Sequence, residues 1–323
     1  MQETVIVAGE GGFLSQNLTR FLIREGYSVI VLTRIPQRSN AVRWIEWNGK
    51  PHGSWMRFVN GAKAVVNLTG RSINCLYNEK NRREILNSRL DSARALSEAI
   101  RVAQPPPKAF IQATSLAIYG DSAERINDEY APPGSGFAAE VCQRWEELIH
   151  EMELPSTRKV ILRIGLVLGR GSDNLTPLVQ LSKSYLGGSM GNGKQYISWI
   201  HVNDLSEMFR WSIERPYVQG VYNATSPNPV ANREFMRELR TALGRPWSPP
   251  IPGLVVKLGA KLVLRTEPTL AHSRVSAAYL DDFNSKGSSF DIQISRGSSG
   301  MSWPRLRLWL SDGPRKHSSY APT

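Results

Sequence analysis

The chain has 323 residues, a formal net charge of +12 and a hydrophobic fraction of 41%, enough apolar material for one large domain or two small ones. Its two cysteines, Cys75 and Cys142, exclude a disulfide framework and a cysteine-based metal site. No apolar run approaches the length that spans a membrane. The positive charge would suit nucleic acid, but no Cys/His finger or strongly basic helix supports that partner.

The low cysteine content fits a reducing compartment, so we predict a cytoplasmic location and leave an organellar one open. The first predicted strand starts almost at Met1, so we expect no signal or transit peptide. We predict no metal site, and an anionic cofactor would account for part of the excess positive charge.

The first 26 residues predict a strand, a glycine turn and a helix. Thr4 to Ala8 is a β-branched apolar run typical of a buried parallel strand, and an amphipathic helical pattern follows the glycines. Glycines let backbone approach a ligand closely, and the start of a helix offers free N–H groups and the positive end of its dipole. This arrangement predicts dinucleotide binding at Gly9, Gly12, Phe13 and Leu14.

The glycine pattern is imperfect, because Ser15 stands where a third glycine usually permits close packing of helix and strand. We expect weakened packing there rather than loss of the site. The second strand, Ser28 to Leu32, ends at Thr33-Arg34. An acidic residue at that point would bind the ribose 2′-hydroxyl of NAD, whereas Arg34 suits the 2′-phosphate of NADP. The alternative for Arg34 is a solvated loop arginine.

A third buried strand, Ala64 to Leu68, ends at Thr69-Gly70. Cofactor contacts in doubly wound folds gather at the carboxyl ends of strands, which makes Leu68 and Thr69 candidates. An ordinary glycine turn is the alternative. Shorter elements are predicted before this strand, a strand at Arg43–Trp47 and a helix at Met56–Val59.

The pattern then alternates between helices and strands up to Ile164. This predicts the α/β class, with a doubly wound parallel Rossmann sheet, right-handed crossovers and a smaller C-terminal substrate lobe. The elements of this part are a helix at Asn78–Val102, a strand at Ala109–Ala113 that leads into Thr114-Ser115, a helix at Ala138–Met152 and a strand at Lys159–Ile164.

We divide the chain into an NADP-binding domain at 1–165, a lobe interleaved with the sheet at 166–283 and a poorly ordered tail at 284–323. In the lobe we expect a helix over Leu175–Leu186 and another from Asn232 to Leu243. A third helix should follow the strand Tyr196–Val202, with Asn203 or Asp204 as its cap.

Several separated motifs resemble the atypical or extended short-chain dehydrogenase/reductases, and among them the branch named epimerase family proteins. Coverage runs from about residue 4 to about 270; from about His272 the chain departs from the family pattern. The matching segments include Gly9 to Ser15, Asn67 to Gly70, Ile85 to Arg89, Ala117 to Gly120, Arg163 to Gly169 and Trp199 to His201.

The resemblance implies a doubly wound fold and an NADP-dependent oxidoreductase. Position by position, it implies NADP contacts at Thr33, Arg34, Leu68, Thr69, Glu84, Arg89 and Leu166. Glu84 and Arg89 carry little signal of their own, because residues five apart do not share one face of a helix.

Typical members of this superfamily use a serine with a Tyr-x-x-x-Lys pair, in which the lysine lowers the tyrosine pKa. The resemblance puts Ser115 at the serine position, but it puts Ala138 and Cys142 at the tyrosine and lysine positions. Tyr119 is the nearest substitute acid, with a packing role as its alternative. His201 is a weaker candidate, as are Lys194 and Gln195 for the substrate cleft.

Two functions of different classes follow from these residues. One is an NADP-dependent oxidoreductase or nucleotide-sugar-epimerase-like enzyme with displaced catalytic groups. The other is a non-catalytic NADP-binding redox sensor or scaffold, and a basic nucleic-acid binder is a distant third. The small-molecule substrate and the oligomeric state stay open.

Overall fold

The computed structural model describes residues 2–9, 11–37, 42–122, 125–253 and 274–275. Its strands in chain order are β1 (Thr4–Ala8), β2 (Ser28–Thr33), β3 (Arg43–Glu46), β4 (Ala64–Asn67), β5 (Ala109–Ser115), β6 (Ile126–Asn127), β7 (Arg158–Ile164), β8 (Leu166–Leu168), β9 (Tyr196–Ile197), β10 (Trp199–His201), β11 (Gly220–Ala224), β12 (Val230–Ala231) and β13 (Arg274–Val275).

The helices are α1 (Phe13–Arg24), α2 (Glu79–Val102), α3 (Phe137–Glu151), α4 (Leu175–Lys183), α5 (Val202–Glu214) and α6 (Asn232–Ala242). Two 3₁₀ turns cover Ser54–Val59 and Leu116–Tyr119. The predicted helix starting at Leu175 therefore ends earlier than expected, at Lys183 instead of Leu186.

Seven strands form one parallel sheet in the order β11-β7-β5-β4-β1-β2-β3. Alternate residues of each strand face opposite sides of the sheet. Val5 and Val7 of β1 therefore join the core under α1 and α5, while Ile6 and Ala8 join the core under α2 and α3. Both faces are covered, which confirms the predicted doubly wound α/β fold.

Smaller elements extend the molecule beyond the carboxyl end of this sheet. β8 pairs in parallel with β10, and β9 pairs with β12 in the antiparallel sense. α4 packs against α6 around an apolar cluster that includes Leu168, Leu175 and Phe235. β11 returns from this half of the chain to the edge of the main sheet.

The predicted cap of α5 was wrong. Neither Asn203 nor Asp204 occupies the position; His201 does, and its Nδ1 accepts a hydrogen bond from the Asn203 N–H at 3.3 Å. Histidine is outside the usual set of capping residues, which explains why the sequence pattern pointed two or three residues too far along the chain.

The strand β13, near the C-terminal end of the described residues, packs on the body of the protein. It pairs with β6, and Val275 is 1% exposed in a cluster with Leu116, Ile118, Tyr119 and Cys142. The predicted tail at 284–323 lies outside the described residues.

We predict that Val275→Ala lowers the free energy of unfolding by about 2 kcal/mol, because it removes two buried methyl groups and leaves a small cavity. Ile126→Ala on the paired strand is the matched control, since Ile126 is 58% exposed, and it should change stability by less than about 0.5 kcal/mol. Urea unfolding measures both. Equal effects of the two variants would show that β13 does not complete this cluster.

Candidate functional site

The glycine turn after β1 brings two backbones together at the carboxyl edge of the sheet. Gly9 has φ +103°, and a Cβ there would lie 2.8 Å from the carbonyl carbon of Leu68 and 2.8 Å from the nitrogen of Thr69. Any side chain at residue 9 would force the end of β4 away. The turn also stays close to β2, since the Gly9 N–H donates to the Leu32 carbonyl at 3.1 Å.

The start of α1 has the features of an anion site. Gly12 is its N-cap and makes no side-chain capping bond, and the first turn contains no acidic residue. A Cβ at Gly11 or Gly12 would meet no atom within 4 Å. The first N–H groups of a helix lack intrahelical partners, so open space lies beside donors that an anionic group can use.

Phe13 and Leu14 support this turn mainly by packing. A Cβ at Gly169 would lie 2.4 Å from Cζ of Phe13, so only glycine lets that ring settle against the loop after β8. Leu14 packs on the core under α1. The backbone N–H groups of both residues lie in the first turn of α1, and their contact with a cofactor stays a prediction.

At the end of β2 the side chains of Thr33 and Arg34 point to different roles. Thr33 is buried, and its Oγ1 accepts a hydrogen bond from the Ile35 N–H at 3.0 Å, which shapes the turn. Arg34 is exposed. Within the described ranges its guanidinium has no hydrogen-bond or ion-pair partner.

The end of β4 contains a polar atom without a partner. Asn67 is fully buried, donates to Gln112 Oε1 at 2.9 Å and accepts the Thr69 N–H at 3.0 Å. Thr69 Oγ1 is buried and has no hydrogen-bond partner among the described residues. A buried hydroxyl is rarely left unpaired. Together with the space above the glycines, this fits a polar ligand lying across Leu68 and Thr69.

Glu84 and Arg89 sit together on α2 but do not pair with each other. Glu84 forms an ion pair with Arg71 of the preceding loop and lies 4.0 Å from Nζ of Lys80. Arg89 donates from Nη1 to the carbonyls of Ile85, at 2.8 Å, and Arg71, at 3.2 Å. Its guanidinium lies over the ring of Trp145, 5.4 Å from the centroid, and so reaches α3.

Arg89 also lies near Cys142, the residue at the lysine position of the Tyr-x-x-x-Lys pair. Burial lowers the pKa of Arg89, and the neighbouring Cys142 and Tyr77 oppose that shift. Burial, together with Glu146, raises the pKa of the Cys142 thiol to about 12. Cys142 is therefore a neutral group at neutral pH, and Arg89 is the cation beside it.

Ser115, the last residue of β5, lies next to Cys142 and near Arg89. It is half-buried, and its Oγ accepts the Ala117 N–H at 3.2 Å. A hydrogen bond from the Ser115 backbone contributes to the environment of the Cys142 thiol. The structure thus brings Ser115, Cys142 and Arg89 together from three separate elements.

Tyr119 is part of a buried polar network. Its hydroxyl accepts a hydrogen bond from Arg163 Nη1 at 2.8 Å, and it lies 2.7 Å from Oδ1 of Asn223. Arg163 in turn forms a two-bond pair with Glu146, whose Oε2 is 2.7 Å from Nη2. Burial raises the pKa of Tyr119. This geometry favours the packing role for Tyr119, and its role as an acid stays a prediction.

The remaining candidates have structural neighbours. Leu166 begins β8, with its N–H bonded to the Ser198 carbonyl. His201 caps α5. Gln195 is buried and donates to the Met190 carbonyl at 2.9 Å, whereas Lys194 is exposed.

A cluster of aromatic and cationic side chains beside the α3 start was not anticipated. The Tyr77 ring packs edge-on against Phe137 with 5.4 Å between centroids, and Arg82 lies 4.6 Å from the Phe137 centroid. Phe137 directly precedes Ala138. The sequence contains only a weak indication of this cluster, because aromatic residues in polar loops before helices have several different structural roles.

Over the described ranges, no cluster of His, Cys, Asp and Glu side chains is arranged to hold a metal ion. Within the same part of the chain, no helix has both the length and the apolar character needed to cross a membrane.

Comparison with known proteins places this geometry in a family. The model of the NAD dependent epimerase/dehydratase family matches residues 5–224. The epimerase family protein SDR39U1 of Bos taurus is 33% identical over 303 residues, which is 90% of this chain and 99% of the relative. A chloroplastic homologue of SDR39U1 from Arabidopsis thaliana is 32% identical over 281 residues, 83% of this chain and 80% of the relative.

Among solved structures, human SDR39U1 (isoform 2) with NADPH is similar to this chain. Its TM-score is 0.76 at 30% sequence identity, and the match covers 95% of this chain and 97% of the human one.

We predict that iodoacetamide at pH 8 labels Cys75 in the folded protein and leaves Cys142 unlabelled, because the thiolate is the reactive form. Cys142 is 5% exposed with a pKa of about 12, whereas Cys75 is half-buried. Mass spectrometry of peptides from native and urea-unfolded samples gives the answer, with the unfolded sample as control. Rapid labelling of Cys142 in the native sample would contradict the packing of α3 described above.

Proposed function

The chain belongs to the NAD dependent epimerase/dehydratase family, and from that premise we propose that it is an NADP-dependent oxidoreductase or epimerase-like enzyme with displaced catalytic groups. The observation that carries the proposal is the close approach of Gly9 to Leu68 and Thr69, beside the open start of α1. That arrangement leaves room for a diphosphate against helix N–H groups.

Most of the predicted cofactor residues have a place in this proposal. Gly9 and Gly12 leave the space, Phe13 and Leu14 supply N–H groups, and the orphaned Thr69 hydroxyl supplies a polar contact at the end of β4. Leu68 contributes backbone beside it. We assign Glu84 an indirect role, since it holds Arg71, whose carbonyl accepts from Arg89.

Arg34 supports NADP over NAD. It follows the buried Thr33, is exposed, and lies at the end of the strand next to β1. A guanidinium pairs with a phosphate through two parallel hydrogen bonds. The human relative was solved with NADPH, which supports the same choice.

When bound, the cofactor supplies or accepts the hydride. This chain's residues must then orient the nicotinamide end and exchange a proton with the substrate. We assign the first task to Arg89, which places a permanent positive charge beside Cys142, at the position where other members carry lysine. Leu166, after the end of β7, contributes apolar surface nearby.

Ser115 is our first candidate for contact with a substrate oxygen. Its Oγ accepts the Ala117 N–H, and no described residue takes the hydrogen of its hydroxyl. A serine alone is a poor acid, so a phenol is still required. Tyr119 was the expected one, but its hydroxyl lies within the Arg163 network.

We therefore add Tyr77 as a second phenol to test. Its ring contacts Phe137, adjacent to Ala138, and its side chain acts electrostatically on Arg89. The loop before α2, through Tyr77, and α2 itself, through Arg89, would then supply the chemical groups that α3 lacks.

A specific observation favours the second candidate function. Ala138 has no proton to exchange and the Cys142 thiol stays protonated, so a protein that binds NADP without turnover fits these two positions equally well. Under either function, the substrate or partner and the oligomeric state stay open, and the cytoplasmic location stays a prediction.

One test of this proposal concerns cofactor choice. We expect NADPH to bind more tightly than NADH, and Arg34→Ala to weaken NADPH binding by about tenfold or more with little effect on NADH, because one charge-assisted pair is lost. Calorimetric titration measures all four affinities. Arg101→Ala is the control, since Arg101 is exposed at the far end of α2. Unchanged NADPH affinity in Arg34→Ala would overturn the assignment.

Another test concerns catalysis. With a substrate found by screening carbonyls and sugar nucleotides, single-turnover oxidation of NADPH should be insensitive to Cys142→Ala and should fall about 100-fold or more in Tyr77→Phe or Tyr119→Phe, whichever supplies the proton. Ser115→Ala should fall as well, because it removes a contact to the reacting oxygen.

The two tyrosine variants distinguish the candidates. Each keeps its ring and loses only a hydroxyl, so Tyr119→Phe should also lower stability by about 1–3 kcal/mol, since it leaves Arg163 and Asn223 underbonded. A large loss for Cys142→Ala alone would show that the assignment of α3 positions is wrong. Tight NADPH binding with no turnover of any tested compound would favour the non-catalytic function.

A further inference from the structure

A second concave site lies in the C-terminal half of the chain. It is a cavity of about 500 Å³ lined by one face of α6 and two loops: Ser189, Arg233, Glu234, Arg237, Arg240, Ser248 and Pro250. A volume of this size is in the range of small-molecule sites. None of these residues belongs to the main sheet or to the strand ends of the proposed cofactor site.

The walls of the cavity are tied to each other by backbone contacts. The Ile251 N–H donates to the Ser189 carbonyl at 2.8 Å, and the Gly191 N–H donates to the Ile251 carbonyl at 2.9 Å. A Cβ at Gly188 would lie 1.7 Å from the Pro249 carbonyl oxygen, so only glycine permits this crossing of the loops. Ser248 Oγ donates to the Tyr185 carbonyl at 2.6 Å. These contacts hold the two loops that form one wall of the cavity in place.

The loop that leads into α6 fixes the helix against this wall. The Arg233 N–H donates to the Gly193 carbonyl at 3.0 Å, and Asn232 Oδ1 accepts the Met190 N–H at 2.8 Å. A Cβ at Gly193 would lie 2.8 Å from Cβ of Arg233. These contacts to the loop at residues 190–193 fix the position of the Arg233 backbone at the start of α6.

The lining is strongly basic. Arg233, Arg237 and Arg240 follow each other at spacings of four and three residues on α6, so they share one face of the helix. Glu234 is the acidic member of the lining. Like charges at this spacing repel one another. Burial lowers the pKa of Arg240, and repulsion by Arg237 lowers it further.

The arginines are only partly neutralised by the protein. Arg237 contacts Glu238 at 3.1 Å and Glu234 at 3.9 Å. Arg240 donates from Nη1 to the Gly187 carbonyl at 2.8 Å, but its Nε is buried and has no hydrogen-bond partner among the described residues. Arg233 has neither an ion pair nor a side-chain hydrogen bond within those residues. The α6 side of the cavity therefore keeps unused hydrogen-bond donors and positive charge that the protein does not neutralise.

We propose that this cavity binds the phosphate group or groups of a small anionic ligand, at a site separate from the one proposed for the dinucleotide. Arginine forks match phosphate oxygens through paired hydrogen bonds. Several arginines on one face favour a group with more than one negative charge, such as a diphosphate, over a single carboxylate. Arg233 and Arg237 make the ionic contacts, and Arg240 holds the loop at Gly187 while facing the same charge.

Inorganic pyrophosphate is the probe, titrated by calorimetry into the full-length protein with NADPH present. The test variant is Arg233→Gln/Arg237→Gln, and the matched control is Arg101→Gln/Arg215→Gln, which removes the same charge at exposed positions away from the cavity. We expect the test variant to bind pyrophosphate at least about tenfold more weakly, and the control to bind like the unmodified protein. Affinity should fall with added salt.

A second readout locates the site. Pyrophosphate should protect Arg233 and Arg237 from phenylglyoxal, measured by mass spectrometry, and should leave Arg101 unprotected. Absence of binding at millimolar pyrophosphate, equal binding by the test variant, or equal losses in both double variants would each overturn the proposal. NADPH affinity is measured on the same samples, so a failure of the dinucleotide assignment is seen separately.

Discussion

The contact on which the site depends is the approach of the Gly9 backbone to the end of β4. Parallel strands bring their carboxyl ends to one edge of the sheet, where ligands bind in doubly wound folds. Here a single missing Cβ allows the turn after β1 to touch Leu68 and Thr69. The helix capped by Gly12 begins beside this contact, and Thr69 Oγ1 is buried without a hydrogen-bond partner among the described residues. A larger residue at position 9 would disturb both strand ends at once.

A second constraint lies on the other side of the sheet centre, in the buried pair of Arg163 and Glu146. Removing two charges from water is costly unless further hydrogen bonds satisfy them. Thr114 donates to Glu146, and Tyr119 accepts from Arg163, so both side chains are used in completing this pair. The network locks α3 onto β5 and β7. It also explains why a tyrosine close to the expected catalytic position is better suited to structure than to chemistry.

The strands that the sequence predicted well, such as β1 and β4, are buried on both faces and carry apolar runs, at residues 5–8 and 64–66. β11 was missed because Gly220, Tyr222 and Asn223 interrupt that signal. The neighbours of Arg89 were also beyond prediction from local pattern, since they depend on how α2 packs against α3. Periodicity assigns a helix its buried face, but it does not say which side chain of a partner helix comes opposite.

The displaced positive charge has a consequence for the two proposed functions. A lysine on α3 would hold a ribose and lower a tyrosine pKa from the same helix, one turn away. Arg89 comes from α2, is permanently charged and presents a rigid fork, so it can hold a ribose whether or not a phenol is near. Its presence supports binding under both functions. What separates an enzyme from a sensor is therefore the phenol. Tyr77 contacts Phe137 beside Ala138, whereas Tyr119 completes a buried ion pair, and a proton donor that must also sustain the core is poorly placed to release its proton.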